Sequence, residues 1–157
     1  MSTWVTQPPH LTDEEAESLL REASTAGFCG LNPDGTIHAV PVSYKYERGR
    51  ILFVTPAASR KARNANRSAN VTVLVDVGGK RISDFKGALI YGKADVKEAT
   101  LSDMMSIGEV WVPGDKTEAG SKGLTGLSKW VKISVEPERR ASFDYAEDKE
   151  FVAALQG

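Results

Sequence analysis

The chain has one cysteine, Cys29, and two histidines, His10 and His38, among 157 residues. A lone cysteine excludes an internal disulfide framework and any zinc site made from clustered cysteines. Two histidines exclude a three-histidine metal site within one chain. No apolar run approaches the roughly 18 residues that cross a bilayer as a helix. Residues 1–9 have neither a basic start nor an apolar centre, so they do not read as a secretory signal. The expectation is a cytoplasmic protein with no membrane partner. Net charge is almost absent too: 20 Lys and Arg against 21 Asp and Glu give −1. That argues against a generally basic surface for duplex nucleic acid, while leaving room for a local basic pocket. There is no repeat, no low-complexity tract, no G-x-S-x-G, no Walker A and no G-x-G-x-x-G.

What is present is the composition of a globular domain, 41% hydrophobic and 26% charged. A chain of this length buries roughly two-thirds of its unfolded surface without a covalent or metal staple. One domain over residues 1–157 is expected, with 1–11 as an N-terminal arm stopped by Pro8 and Pro9. Thr12 and Glu15 have capping-box spacing. Ala16, Leu19, Leu20, Ala23 and Ala26 then form a helical stripe, and Gly27 suits the helix end. The acids Asp13, Glu14, Glu15 and Glu17 favour the helix dipole and do not form a catalytic pair.

From Phe28 the period changes to two. Residues 28–31 read as a short strand, Asn32-Pro33-Asp34-Gly35 as a turn, and 36–46 as a long strand broken in its middle by Pro41. Glu47-Arg48-Gly49 closes a hairpin onto 50–55, which is apolar on both faces: Ile51 and Phe53 on one, Leu52 and Val54 on the other. Such a strand has barrel interior on one side and a helix or a second subunit on the other. A short helix over 60–67, a strand over 71–77 and a long strand over 85–96 follow. Gly92 keeps one face of that last strand small, which permits close approach of a backbone or a flat ligand. Thr100 and Asp103 mark another helix start. Residues 112–128, rich in Gly, Lys and Thr and without periodicity, read as a loop that is either mobile or a cover for a site. The last clear strand is 129–136. Residues 140–145 are a possible further strand, and 148–155 a terminal helix. Six or seven strands joined mainly by turns predict a mostly antiparallel barrel.

Three features are candidates for chemistry. The first is the run from Ser59 to Arg67, with four basic residues in nine and no acid. A helix start with a serine, Arg60 and Lys61 attracts phosphate; a solvated basic face is the alternative. The second is the stretch 37–43, where an edge strand holding Pro41 leaves backbone groups for the rim of a planar heterocycle. The alternative is an ordinary edge that Pro41 protects from aggregation. His38 in that stretch reads as an exposed strand histidine, with a base as the other possibility. The third is Trp130, on the polar face of its strand beside Lys132 and Ser134. That position marks an interface or a ring-stacking site, or else packing beneath the preceding loop. Trp111, before Pro113, is ambiguous. Cys29, in an apolar strand with no basic neighbour, reads as an inert buried thiol.

The order of these pieces carries more than any one of them. A leading helix, a strand and an NPDG turn precede "TIHAVPVSYKYERGRILFVTPAASRKARNANRSANVTVLVD" and then "FKGALIYGKADV". This resembles the FMN-binding split-barrel family, the pyridoxamine 5′-phosphate oxidase-like proteins, over about residues 11–96. The sharpest part is the run through Val54-Thr55 to Ser59-Arg60-Lys61, with Asn66 spaced before Asn70-Val71. The resemblance implies a mainly β, six-stranded antiparallel Greek-key split barrel, working as a homodimer with flavin at the subunit interface. It implies that Ala39, Val40, Pro41, Val42 and Ser43 line the isoalloxazine ring and that Val54 and Thr55 reach the ribityl chain or ring edge. Ser59, Arg60 and Lys61 would hold the phosphate, and Trp130 or a residue near it would come from the partner. Vitamin-B6 oxidases of the family carry a C-terminal Arg and Trp segment with no secure match in 129–145. Nitroimidazole-reductase-like members have His near the position of Thr55. The resemblance therefore implies an FMN-dependent oxidoreductase acting on a small molecule. A deazaflavin in the same groove, or an electron carrier without a substrate reaction, are the alternatives. Binding of single-stranded nucleic acid by the basic run ranks below these, since that run has no stacking aromatic. No catalytic residue is identified.

Overall fold

The computed structural model describes residues 8–109 and 114–157. Trp111 and most of the N-terminal arm lie outside the described residues. Helix α1 (Asp13–Glu22) has the expected capping box: Glu15 N–H donates to Thr12 Oγ1, and Thr12 N–H donates to the Glu15 carboxylate. Ala16, Leu19 and Leu20 are buried, but the helix closes at Glu22 with Ala23 extended. Ala26 and Gly27 belong instead to β1 (Thr25–Leu31). Their apparent helical spacing continues the α1 stripe only by coincidence, since Ala26 and Phe28 already alternate inward as strand residues.

Seven strands form one antiparallel sheet in the order β2-β1-β5-β6-β7-β4-β3. The remaining strands are β2 (Ile37–Ser43), β3 (Lys45–Glu47), β4 (Arg50–Pro56), β5 (Asn70–Val77), β6 (Lys86–Glu98) and β7 (Trp130–Asp144). The strand expected over 36–46 is thus two, and it breaks at Tyr44 rather than Pro41. Tyr44 is the single link between strands at opposite ends of the sheet, so the sheet curls until its two edges meet there: a barrel split along one seam. Tyr44 is 1% exposed. Its N–H donates to Ser24 O at 3.0 Å and its hydroxyl to Leu20 O at 2.7 Å, fixing the corner to α1. Burial pushes the phenol's pKa far up, so it stays a neutral donor. Pro41 keeps the place expected of it, on an edge strand. The Arg48-Gly49 hairpin has φ of +51° and +75°, which suits a tight turn.

The barrel interior is closed by Phe28, Ile51, Phe53, Val73, Ile90 and Val135, each fully buried. Phe28 and Phe53 meet edge to face, 4.9 Å between centroids. The outer face of β4 is covered by a helix of the same chain. Val54 packs with Met104 and Ile107 of α3 (Leu101–Gly108), with Leu52, Leu124 and Trp130 at the margin.

Two stretches differ from expectation. Residues 117–127 form a helix, α4, where a loop was expected. Its packing positions Thr117, Ser121 and Leu124 lie at i, i+4 and i+7, but two of them are polar, so no hydropathy stripe appears in the sequence. They pack on α3 at Gly108, where a Cβ would make ordinary contacts with Ser121 Oγ at 3.7 Å and Thr117 Cγ2 at 3.9 Å. The second difference is that 129–136 and 140–145 are one strand, β7, carried past Pro137 by a bulge. Tyr91 pairs with Arg139 and Gly92 with Pro137, leaving Glu138 unpaired. Gly92 admits backbone there: a Cβ would lie 2.2 Å from Glu136 O.

Helix α2 (Arg60–Arg67) and the terminal helix α5 (Lys149–Gln156) stand where expected. The described end of the arm runs beside β7, with Asp144 N–H donating to Pro9 O at 2.8 Å and Leu11 N–H to Ser142 Oγ at 2.9 Å. Glu17 binds α1 to the sheet. It accepts from Tyr46 Oη of β3 at 2.8 Å and from Arg140 of β7, which also donates to Tyr46 Oη at 2.9 Å. The Arg140 hydrogen bond outweighs partial burial and holds the Glu17 carboxyl below its usual range.

Two outcomes follow from this architecture. Gly92→Ala forces β6 and β7 apart at the bulge and lowers unfolding free energy by about 1–3 kcal/mol or more in urea titration. A group with a depressed folded pKa stabilises above its unfolded value, about 4.3 for glutamate. That contribution is lost as pH falls through the folded pKa. Wild type therefore loses urea midpoint between about pH 5 and pH 3, and Arg140→Met shows a smaller loss across the same window.

Candidate functional site

The C-terminal end of β4 turns directly into α2, and the turn is held by backbone bonds. Ala57 N–H donates to Lys129 O at 2.8 Å and Ser59 N–H to Pro56 O at 2.9 Å. Ser59 is the N-cap of α2, its Oγ accepting from Ala62 N–H at 3.3 Å. The same Oγ accepts from Thr55 Oγ1 at 3.2 Å. Thr55 is 2% exposed, so this contact ties the cap to the barrel wall. The two contacts fix the Ser59 hydroxyl at the helix start. The first-turn amides of Arg60 and Lys61 lack intrahelical acceptors by position. The first turn of α2 contains no acid. Among the described residues, neither Arg60 nor Lys61 forms an ion pair. A hydroxyl, free amides and two cations make this a place for an anion.

The sequence-derived candidates fall into three places. Thr55, Ser59, Arg60 and Lys61 come together at the α2 start. Val54 points to the opposite side of β4, into the α3 cluster, and Trp130 joins it there opposite Pro56. Trp130 Nε1 donates to Leu124 O at 3.0 Å, which fixes the indole against α4. The β2 residues stand on the sheet edge. Ala39 and Pro41 are exposed, Val42 is buried, and Ser43 is half-buried. Ala39, Val40 and Pro41 line a shallow cavity of about 350 Å³ with Thr25, Gly27 and Asp76.

Two features differ from the sequence reading: His38, read there as an exposed strand histidine, is half-buried, and Asn64 was not singled out. His38 Nδ1 is buried and has no hydrogen-bond partner among the described residues. His38 pairs with Gly30, at whose position a Cβ would meet Asn64 of α2 at 3.7 Å. The imidazole therefore stands on the side of the sheet that α2 covers. Its alternation with Val40 and Val42 was the available signal. The second feature is Asn64, 2% exposed. It donates to Asn32 Oδ1 at 3.0 Å and accepts from Arg67 at 2.9 Å, pinning the 32–35 turn to α2. By contrast Asn66, singled out by spacing, is exposed.

Cys29 is half-buried, and desolvation raises its thiol pKa, as an unreactive cysteine requires. Lys132, on the outer face of β7, pairs with Asp103 at 2.8 Å. Burial of Asp103 acts to raise its carboxyl pKa, but that bond and the Thr100 amide outweigh it and hold the pKa low. Among the described residues, no group of three or more His, Cys, Asp and Glu is placed to hold a metal ion, and no helix is long and apolar enough to cross a membrane.

A curled antiparallel sheet with a polar helix start at the end of one strand defines a split-barrel protein. The chain belongs to the pyridoxamine 5′-phosphate oxidase family, whose sequence model matches residues 12–129. No curated protein sequence matches it. Solved structures share the fold. A conserved hypothetical protein of Mycobacterium tuberculosis superposes with a TM-score of 0.75 at 22% identity, over 87% of each chain. A FAD-binding protein of Mesorhizobium loti gives 0.63 at 16% identity, over 87% of this chain and 95% of its own. The heme storage protein HutZ of Vibrio cholerae gives 0.67 at 14% identity, over 85% and 97%.

The cap separates from anion binding by substitution. Ser59→Ala costs about 1 kcal/mol of stability through the lost cap. Ser59→Asp restores that stability, because aspartate caps equally well, yet it places negative charge where an anion binds. Urea midpoints of the two variants check the first statement, and phosphate-ester affinity checks the second.

Proposed function

We propose that this protein is a flavin-dependent oxidoreductase that holds the phosphate of FMN at the start of α2 and acts on a small molecule. The observation that carries the proposal is the Ser59 hydroxyl. Its oxygen caps α2 by accepting from the Ala62 amide and lies 3.2 Å from Thr55 Oγ1, which fixes the hydroxyl at the helix start beside Arg60 and Lys61. That donor set fits a phosphate dianion, which favours charge-assisted bonds and a fork-shaped arginine partner. Family membership and the FAD-binding relative from Mesorhizobium loti support a flavin.

A bound flavin supplies the electron chemistry. The chain's own residues bind and orient. Ser59, Arg60 and Lys61 grip the phosphate, remote from the reacting ring, and so fix the ring's position. The exposed faces of Ala39 and Pro41, with Val40, Val42 and Ser43 along the same strand, present an edge to a planar ring. Thr55 would stand between ring and phosphate chain, while Val54 is buried under α3 on the other side of β4. Trp130 packs beside Val54 in the α3 cluster, with its N–H taken by Leu124 O. The unpartnered Nδ1 of His38 is a further polar atom on the α2 side of the sheet. Because Ala39 and Pro41 lie on an open edge, a second copy of the chain is the natural cover, and a cytoplasmic homodimer is part of the proposal.

The absorption spectrum after adding FMN and desalting tests this reading, with one flavin per subunit expected. Arg60→Ala combined with Lys61→Ala should weaken FMN by roughly 2–4 kcal/mol. Unchanged affinity in that double variant rejects the phosphate assignment. A protein that stays colourless with FMN yet retains a deazaflavin changes the cofactor, and retention of neither rejects the redox reading. Sedimentation of the loaded protein checks the dimer.

A further inference from the structure

The outer face of α2 carries three arginines, Arg60, Arg63 and Arg67, at i, i+3 and i+7. With Asn32, Asp34 and Thr36 of the neighbouring turn they line a cavity of about 500 Å³. Among the described residues none of the three is in an ion pair, although like charges at this spacing disfavour a helix. The one carboxylate in the lining, Asp34, feels a weak attraction from Arg60, but its hydrogen bonds go to Thr36: Oδ1 accepts from Thr36 N–H at 3.0 Å and from Thr36 Oγ1 at 2.6 Å. Those two bonds, the hydroxyl's first, hold its carboxyl below the usual range. The floor of the cavity is built rather than merely charged. Arg67 is anchored by donating to Leu31 O and to Asn64 Oδ1. Asn64, itself 2% exposed, is held in turn by Asn32. One guanidinium is therefore fixed in place, while Arg63 beside it makes no side-chain hydrogen bond among the described residues.

We propose that this cavity is a second anion site, which takes a diphosphate group. Three guanidiniums against one carboxylate leave an excess of positive charge that suits a multiply charged anion better than a single carboxylate. The arginines span seven residues of helix, about 10 Å at 1.5 Å per residue, which is long enough for two linked phosphates. Arg60 stands at the end shared with the Ser59 site, so the diphosphate comes either from a dinucleotide extending out of that site or from a separate nucleoside diphosphate. The site itself needs no flavin at Ser59.

Titration calorimetry at low salt with inorganic pyrophosphate and with ADP tests the proposal on wild type, Arg63→Ala and Lys80→Ala. Arg63→Ala should weaken both ligands about tenfold with unchanged thermal midpoint and unchanged FMN affinity. Lys80→Ala, an equal charge change elsewhere on the surface, should leave both ligands unaffected. FAD binding more tightly than FMN, with the advantage lost in Arg63→Ala, assigns the diphosphate to a dinucleotide. ADP binding to FMN-loaded protein with no advantage for FAD assigns it to a separate nucleotide. Absence of diphosphate binding overturns the site, as does binding insensitive to Arg63→Ala or equally sensitive to Lys80→Ala. If FMN fails to bind while Arg63-dependent pyrophosphate binding persists, the cofactor reading fails and this site stands.

Discussion

Strand β4 has to be covered on two sides, and much of the molecule is arranged by that need. Ile51 and Phe53 are fully buried in the barrel, and Val54 is buried under α3. Each large apolar side chain so removed from water contributes about 1.5–3 kcal/mol, more than a surface ion pair typically gives. Covering the inner face needs the sheet to curl, which sets β2 and β3 at opposite edges with Tyr44 as the corner. Covering the outer face needs α3, and α3 in turn recruits α4 and Trp130. One strand's composition thus demands both the barrel and the helical pair outside it.

The same strand determines where polar chemistry is possible. Its apolar run ends at Thr55, whose side chain faces the buried side yet carries a hydroxyl. A buried hydroxyl needs a partner, and Ser59, four residues on, supplies it. That contact fixes the N-cap of α2 against the barrel wall. The helix then starts at a defined place and direction, with Arg60 and Lys61 held on the outside. A flexible loop carrying the same basic residues would hold an anion only after paying the entropy of ordering itself.

Much of this frame was legible in the sequence because its signals are local. The capping boxes at Thr12 and Thr100, the NPDG turn and the two-faced strand all appear where their spacing placed them. What was hidden depends on contacts between distant segments. Helix α4 packs on α3 through Thr117, Ser121 and Leu124, two of them polar, so hydropathy periodicity does not register it. The bulge in β7 follows from Gly92 on another strand, so the sequence reading divided that strand into 129–136 and 140–145. The family resemblance supplied the grouping of Thr55 with Ser59, Arg60 and Lys61. The resemblance did not show that Val54 and Trp130 face away from that group into the α3 cluster.

His38 illustrates how register decides chemistry. A shift of one residue would send the imidazole to the open face of β2, where water satisfies both nitrogens. The observed pairing with Gly30 instead turns it toward α2 and leaves Nδ1 buried without a partner among the described residues. Beside it, a Cβ at Gly30 would meet Asn64 Cβ at 3.7 Å, an ordinary contact, so α2 packs directly on this pair of strands. An unpaired buried nitrogen costs the folded chain about 1–3 kcal/mol, and such a cost in an otherwise well-satisfied core is expected where a fold serves a ligand. The sheet edge, α2 and the cap at Ser59 therefore share one logic: β1 and β4 set the positions, and the groups left unsatisfied at their margins are those available to bind.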